Sequence, residues 1–174
     1  KILICHARED KDLADIIYNI LLFNRVPPED IIYTNCDNEI SRIPDGMSVW
    51  DYLRIFFVQS YSEEKIYVVY VTSNDMAGSW GAVTEVGAGW ITRTDHKVFN
   101  IKGHRPQRPL DIDMEWQTSI RTDHGLSMTQ VECDKFASKI EHICDQLSFK
   151  KRTRQENGGA QEEISAQRRI AEHA

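Results

Sequence analysis

Short apolar runs alternate with segments of helical periodicity along the first 102 residues. The runs at 1–7 (KILICHA), 31–35 (IIYTN), 65–72 (KIYVVYVT) and 96–102 (HKVFNIK) each fit a strand. Between them, 11–24, 49–61 and 79–90 place apolar residues at the spacing of one helix face. Continuous apolar strands that alternate with helices are typical of a parallel sheet covered on both faces. The pattern therefore predicts an α/β fold with a flavodoxin-like open parallel sheet.

The pattern weakens after residue 102. Residues 103–118 are loop-like, and the sequence near 118–121 is compatible with a short strand. An amphipathic helix is predicted over 127–147, capped by Ser127 or Thr129. The remaining residues contain a basic cluster, a Gly-Gly break and a charged helical segment. We therefore predict one domain over 1–147 and a charged, helical C-terminal extension over 148–174.

Composition narrows the classes of function. A formal net charge of -6 gives no electrostatic reason to expect nucleic acid as a partner. The chain has no apolar run of membrane-spanning length and opens on a strand-like segment, so a cytoplasmic protein without membrane contact is expected. The four cysteines lack the paired spacing of a zinc site, and no metal is expected. The P-loop, the H-E-x-x-H pattern and the nucleophile elbow are absent from the sequence.

The helix predicted over 79–90 (SWGAVTEVGAGW) has an unusual composition. Ser79 is a good N-terminal cap, but the helix contains three glycines, each of which costs about 1 kcal/mol in a helix interior. At about 100° per residue, one apolar stripe is predicted to pack on the sheet, formed by Trp80, Val83, Val86 and Trp90. Glu85 is predicted to point away from the sheet, on a face otherwise occupied by the small residues Gly81, Ala82, Ala88 and Gly89.

Two explanations fit this arrangement. The small residues could let another element or subunit pack closely against the helix, but such packing would bury Glu85 without an obvious cationic partner, at a high cost. Alternatively, they form the floor of a pocket into which Glu85 projects, and the missing side chains leave room for a ligand. Ligands of open parallel sheets bind at the carboxyl ends of the strands. The loops expected at that edge supply further candidates for binding a nucleotide, namely His6, Arg8, Tyr33, Pro44, Gly46, Ser79 and Trp80.

Several segments together resemble a bacterial TIR domain. ILICHAREDKDLADIIYNIL is similar to the first strand, loop and helix of that family, and VPPEDIIYTNCDNEISRIPDGMSVW to its second strand and BB loop. SNDMAGSWGAVTEVGAGW resembles the most specific block of the family, and Ser73, Ser79 and Glu85 keep its spacing of six and six residues. Gly81-Ala82, in place of a bulky residue and cysteine, and Cys5, in place of a common serine, depart from the pattern.

The resemblance implies an enzyme in which Glu85 is the catalytic residue for cleaving NAD⁺ between nicotinamide and ribose, with NAD⁺ as substrate and no further cofactor. It also implies that Arg8, Tyr33 and the loop around Pro44 and Gly46 line the nucleotide site. On the same basis we expect self-association through the BB loop and a product such as ADP-ribose or a cyclic ADP-ribose isomer. We also expect a downstream effector that responds to the product, and a role in anti-phage defence of the Thoeris kind. Two alternatives stay open: a non-catalytic TIR interaction scaffold, and an enzyme similar to nucleoside deoxyribosyltransferases.

Overall fold

Four parallel strands form a sheet in the part of the chain that the structure describes. A computed structural model describes residues 1–59, 65–101, 104–108, 110, 130–157 and 159. Strands β1 (Ile2–Cys5), β2 (Ile31–Ile32), β3 (Tyr67–Thr72) and β4 (Asp95–Asn100) form one sheet in the order β2-β1-β3-β4. All three neighbouring pairs are parallel. The prediction of an α/β, flavodoxin-like open sheet is confirmed.

The described residues contain five α-helices: α1 (Lys11–Phe23), α2 (Val49–Gln59), α3 (Asn74–Ala77), α4 (Trp80–Ile91) and α5 (Gln130–Gln146). The sequence predicts all of them except α3, a single turn that begins because the Ser73 hydroxyl accepts a hydrogen bond from the Met76 amide at 3.0 Å. Strand β2 is shorter than predicted, since the chain turns at Asn35 with φ of 65°. The strand expected near 118–121 and the caps Ser127 and Thr129 lie outside the described residues.

The two faces of the sheet carry separate hydrophobic cores. Because successive side chains of a strand point to opposite faces, alternate residues of β1 and β3 enter different cores. Helices α1 and α5 cover the face that contains Ile4 and Val69. Helices α2, α3 and α4 cover the face that contains Cys5 and Tyr70. Helices on both faces are therefore confirmed, and α4 lies on the same face as Cys5.

The residues that follow α5 contact the end of α1. Asn24 Nδ2 donates a hydrogen bond of 2.6 Å to Asn157 Oδ1, and both side chains are fully buried. The Arg152 amide donates to Asn24 Oδ1 at 2.7 Å, and its guanidinium group lies 4.5 Å from the centre of the Phe23 ring. Part of the predicted extension therefore packs against the domain, while its boundary at residue 147 stays a prediction. Within the described ranges, the helices are too short or too polar to span a membrane.

Candidate functional site

Helix α4 presents the opposite face to the sheet from the one predicted. Ala82, Glu85 and Gly89 are buried against the sheet. Trp80 is 85% exposed and Trp90 is 65% exposed. The prediction that the tryptophan stripe packs on the sheet and that Glu85 points away from it is therefore wrong, and so is the prediction of Glu85 on an open, small-residue floor.

The close approach of Tyr70 explains this orientation. A Cβ atom built on Gly89 would lie 2.2 Å from the Tyr70 hydroxyl oxygen, a distance that no side chain tolerates. Small residues on this face allow α4 to come near β3, so the close-packing explanation holds for Gly89. Gly87 differs, because a Cβ atom there would have no neighbour within 4 Å.

Glu85 is a buried carboxyl group with no cation beside it among the described residues. It is 8% exposed, and no ion pair joins it to any described residue. Burial raises the pKa of Glu85 to about 7, although a hydrogen bond with the Cys5 thiol lowers the pKa. Burial first, and then the charge of Glu85, also raises the pKa of Cys5 well above its ordinary value. Near neutral pH, this site therefore contains a neutral thiol and a carboxyl group that is present in both its protonated and its charged form.

The position of Glu85 in the topology is as informative as its burial. Cys5 and Tyr70 are paired neighbours on β1 and β3. The Tyr70 hydroxyl contacts the Glu85 backbone carbonyl at 3.5 Å. The chain leaves β1 toward β2 on one side and later returns to β3 on the other, so the connectivity reverses between these two strands. Open α/β sheets bind ligands at such a switch point, beyond the carboxyl ends of the strands.

His6 and Tyr33 form a separate pair on the α1 side of the sheet. Their rings pack edge to face, with centres 5.5 Å apart. The Tyr33 hydroxyl donates to Asp15 at 2.6 Å, and the ring is 1% exposed. Burial lowers the pKa of His6, whose Nε2 is buried and has no hydrogen-bond partner among the described residues. Tyr33 is thus a core residue here, and the lowered pKa of His6 favours its neutral ring.

The other predicted binding residues lie at the surface. Arg8, in a 3₁₀ turn after β1, and Pro44 and Gly46, in the loop before α2, are exposed. Gly46 has φ of +83°, which favours glycine at that position. Ser79 caps α4 as predicted, since its hydroxyl accepts from the Ala82 amide at 3.4 Å. Among the described residues, no hydrogen bond or ion pair joins Glu85 to Arg8, Pro44, Gly46 or Trp80.

Sequence reasoning missed two residues beside Glu85, namely Cys5 and Tyr70. Cys5 ends β1 at the same edge as the candidate loops, and that position was the available signal for it. Tyr70 gave no signal, since an aromatic residue inside an apolar strand is ordinary core composition.

A cavity of about 1000 Å³ adjoins the outward side of α4. It lies between Val83, Val86 and Trp90 of that helix and the segment that contains His104 and Arg108. Glu85 is not among its lining residues. The residues described contain no group of three or more side chains suited to hold a metal ion.

These features define an α/β protein with a buried acid at its topological switch point. No family model matches the chain. The chain is similar to the uncharacterized protein YddK of Bacillus subtilis (strain 168), with 28% identity over 113 residues. The match covers 65% of this chain and 40% of YddK, so the chain spans less than half the length of that relative.

Proposed function

We propose that the protein is an NAD⁺-cleaving enzyme of the TIR class, in which Glu85 stabilises positive charge on the ribose. The observation that carries the proposal is the location of the Glu85 carboxyl group beside Cys5 and Tyr70, between the two strands where the connectivity of the sheet reverses. The spacing of Ser73, Ser79 and Glu85 in the sequence supports the same assignment.

The chemistry requires little beyond one carboxylate. Nicotinamide in NAD⁺ is already a cationic leaving group, so cleavage of its bond to ribose needs no general acid. The transition state resembles an oxocarbenium ion, as in glycoside hydrolysis. A carboxylate in surroundings of low dielectric constant stabilises such charge more strongly than one in water. Water as the acceptor gives ADP-ribose, and attack from within the molecule gives a cyclic ADP-ribose isomer.

Burial of Glu85 supports an enzyme that is latent as a single chain. At 8% exposure the carboxyl group has no room for a ribose until neighbouring side chains move. The loop before α2 packs Ile43 into the same core, while Pro44 and Gly46 are exposed. We propose that self-association through this loop displaces its buried part and opens the site. A cytoplasmic enzyme of anti-phage defence, whose product acts on an effector, would use such latency to spare cellular NAD⁺.

Nicotinamide release tests the proposal. The purified protein is incubated with NAD⁺ with and without a crowding agent that promotes assembly, and the products are separated by chromatography. We expect release under assembling conditions and its loss, by at least about a hundredfold, in Glu85→Gln, because the amide cannot stabilise the developing charge. The matched control is Glu29→Gln, which removes an exposed carboxylate in the turn before β2.

The outcomes separate the candidates. Release by Glu85→Gln at the rate of the natural sequence, or no release under any assembling condition, would overturn the proposal. Base exchange on deoxynucleosides without action on NAD⁺ would instead identify an enzyme similar to nucleoside deoxyribosyltransferases.

One observation favours the scaffold alternative. Trp80, Trp90 and Ile91 are 85%, 65% and 70% exposed on α4, an apolar surface suited to protein contacts. A scaffold would need this surface and not the acid. If Glu85→Ala keeps the biological activity and Trp80→Ser abolishes it, the protein is a scaffold.

A further inference from the structure

We propose that the exposed face of α4 is a contact between two copies of this chain, which pair through antiparallel α4 helices. Trp80, Ile91 and Trp90 of this face are the three most exposed large apolar residues that the structure describes. Large apolar side chains that lie together at the surface mark a site of contact with another molecule.

One line of residues runs along this face at the spacing of a contact between two helices. Trp80, Thr84, Gly87 and Ile91 follow each other at intervals of four, three and four residues. At about 100° per residue, this spacing keeps the four residues within about 60° of one another. It is the spacing of the a and d positions of a coiled coil, where two helices pack side by side. We call these four residues the α4 seam.

The face that contains the α4 seam is complementary to itself in the antiparallel direction. A two-fold axis midway between Gly81 and Trp90 pairs each residue with the one that lies equally far from the axis on the second copy. Gly87 then faces Thr84 of the second copy, and Gly81 faces Trp90. Each glycine therefore lies opposite a larger side chain, an alternation that lets two packed surfaces interdigitate.

Packing within one chain does not require these two glycines. A Cβ atom on Gly87 would meet no other atom within 4 Å, and one on Gly81 would lie 3.7 Å from Ser79 Oγ, an ordinary contact distance. Glycine nevertheless weakens a helix relative to alanine. The close approach of a second helix supplies a reason for both residues, as Tyr70 does for Gly89.

The exposed face of α4, a helix that the structure describes in full, carries no charge. Glu85 is the only ionisable residue of the helix, and it is buried against the sheet. Solvated helix faces ordinarily carry charged residues, whereas the centres of protein interfaces are poor in charge and rich in tryptophan. A face without charge does not repel its own copy and does not select a partner of opposite charge, which favours a second copy as the occupant.

The exposed apolar area is sufficient for a small dimer interface. At about 150–250 Å² for each fully exposed large side chain, Trp80, Val83, Trp90 and Ile91 together expose about 600 Å² on each copy. Pairing would then bury about 1200 Å² in total, which is the lower end of the range for specific protein interfaces. The groove of about 1000 Å³ beside Val83, Gly87 and Trp90 opens on the same face, and the second copy would cover it.

The pairing goes beyond the proposed function and does not rest on it. The outward face of α4 makes the contact, whereas Glu85 faces the sheet and Cys5 on the other side of the helix. Dimer formation is therefore measured without NAD⁺, and its failure would leave the nicotinamide-release test as it stands.

Sedimentation equilibrium tests the pairing. The natural protein should form a dimer with a dissociation constant of about 1–100 µM, as expected for an interface of this size. Gly87→Glu places two carboxylates near the two-fold axis and should raise this constant at least about tenfold, because like charges at a contact repel. Asn19→Glu is the matched control, since it adds the same charge at an exposed position of α1, which covers the opposite face of the sheet.

Disulfide cross-linking tests the antiparallel arrangement. Thr84→Cys chains are mixed with Gly87→Cys chains that carry a tag, and the mixture is oxidised with oxidised glutathione. The two substituted residues face each other across the proposed contact, so a disulfide-linked heterodimer should form. A mixture of Asn19→Cys with the same tagged Gly87→Cys chains is the control and should give far less of it.

The outcomes are decisive in either direction. Circular dichroism establishes that each variant is folded, and Thr84→Glu replaces Gly87→Glu if the latter does not fold. A natural protein that stays monomeric throughout the expected concentration range would refute the pairing, and so would a dimer that these glutamate variants leave intact. Equal yields of heterodimer in the test and control mixtures would refute the antiparallel arrangement.

Discussion

The Glu85 carboxyl group and the Cys5 thiol are hydrogen-bonded to each other between α4 and the end of β1. Each group is buried, and each therefore prefers its neutral form. Near neutral pH the Glu85 carboxyl group loses its proton, whereas the Cys5 thiol stays protonated. This coupling links the stability of the fold to the ionisation of the candidate catalytic group.

Stability should fall as the pH rises through the range in which Glu85 ionises. The pKa of this carboxyl is about 7 in the folded protein against an ordinary 4.5. Folding therefore binds a proton between these values, and its contribution is complete below about pH 4.5 and lost by about pH 8. Since one pKa unit corresponds to about 1.4 kcal/mol, the loss is about 3 kcal/mol. Urea unfolding of the natural protein and of Glu85→Gln at pH 5 and pH 8 checks this, because the glutamine variant should lack this part of the pH dependence.

Removal of the thiol should raise the pKa of Glu85 further. The hydrogen bond from Cys5 favours the charged carboxylate, so Cys5→Ala removes a stabilising donor while burial persists. Cys5→Ser retains a donor and is the control. Carbon NMR of the glutamate side chains gives the titration midpoint directly. A midpoint in Cys5→Ala equal to or below that of the natural protein would contradict the assigned contact.

Gly89→Ala should destabilise the protein, and Gly87→Ala should not. The added methyl group at residue 89 collides with the Tyr70 hydroxyl, and overpacking of this kind costs about 1–3 kcal/mol. At residue 87 the same change meets open space and improves helix propensity by up to about 1 kcal/mol. Chemical denaturation measures both effects. Tyr70→Phe, which removes the colliding oxygen, should reduce the penalty of Gly89→Ala, and an unchanged penalty would exclude this cause.

Asn157→Ala should lower the unfolding free energy by about 1–3 kcal/mol, because it leaves buried polar atoms of Asn24 without their partner. Asn19→Ala is the control, since Asn19 is exposed on α1 and its side chain donates a hydrogen bond of 2.8 Å to the Asp15 carbonyl. Thermal unfolding at one pH compares the two variants. Equal stability of both would show that residue 157 is not part of the folded domain.

The apolar pattern was sufficient to predict the sheet and most of the helices. Strand β3 is buried at every position and apolar up to its last residue, Thr72, a composition that fits a strand covered on both faces. Helix α3 was not predicted because its four residues are too few to show the 3.6-residue period of a helix, although Ser73 is a recognisable N-terminal cap.

The site could be predicted only in part. The sequence indicated Glu85 as a candidate because its neighbours on the helix face are small residues. The same small residues fit either a pocket floor or a close-packed face. The rule that apolar stripes face the core failed for α4, since Val83 and Trp90 border a cavity instead. The Tyr70 hydroxyl, which decides between the two orientations, belongs to another element, and no local pattern reveals it.

The contact between Asn24 and Asn157 joins residues 133 positions apart along the chain. Closing so long a loop costs entropy that only the intervening structure can offset, so this pair should form late in refolding. During synthesis, α1 leaves the ribosome long before its partner amide exists. The Asn24 side chain therefore stays hydrated on the nascent chain until translation has passed residue 157, and the domain reaches its final packing only after that.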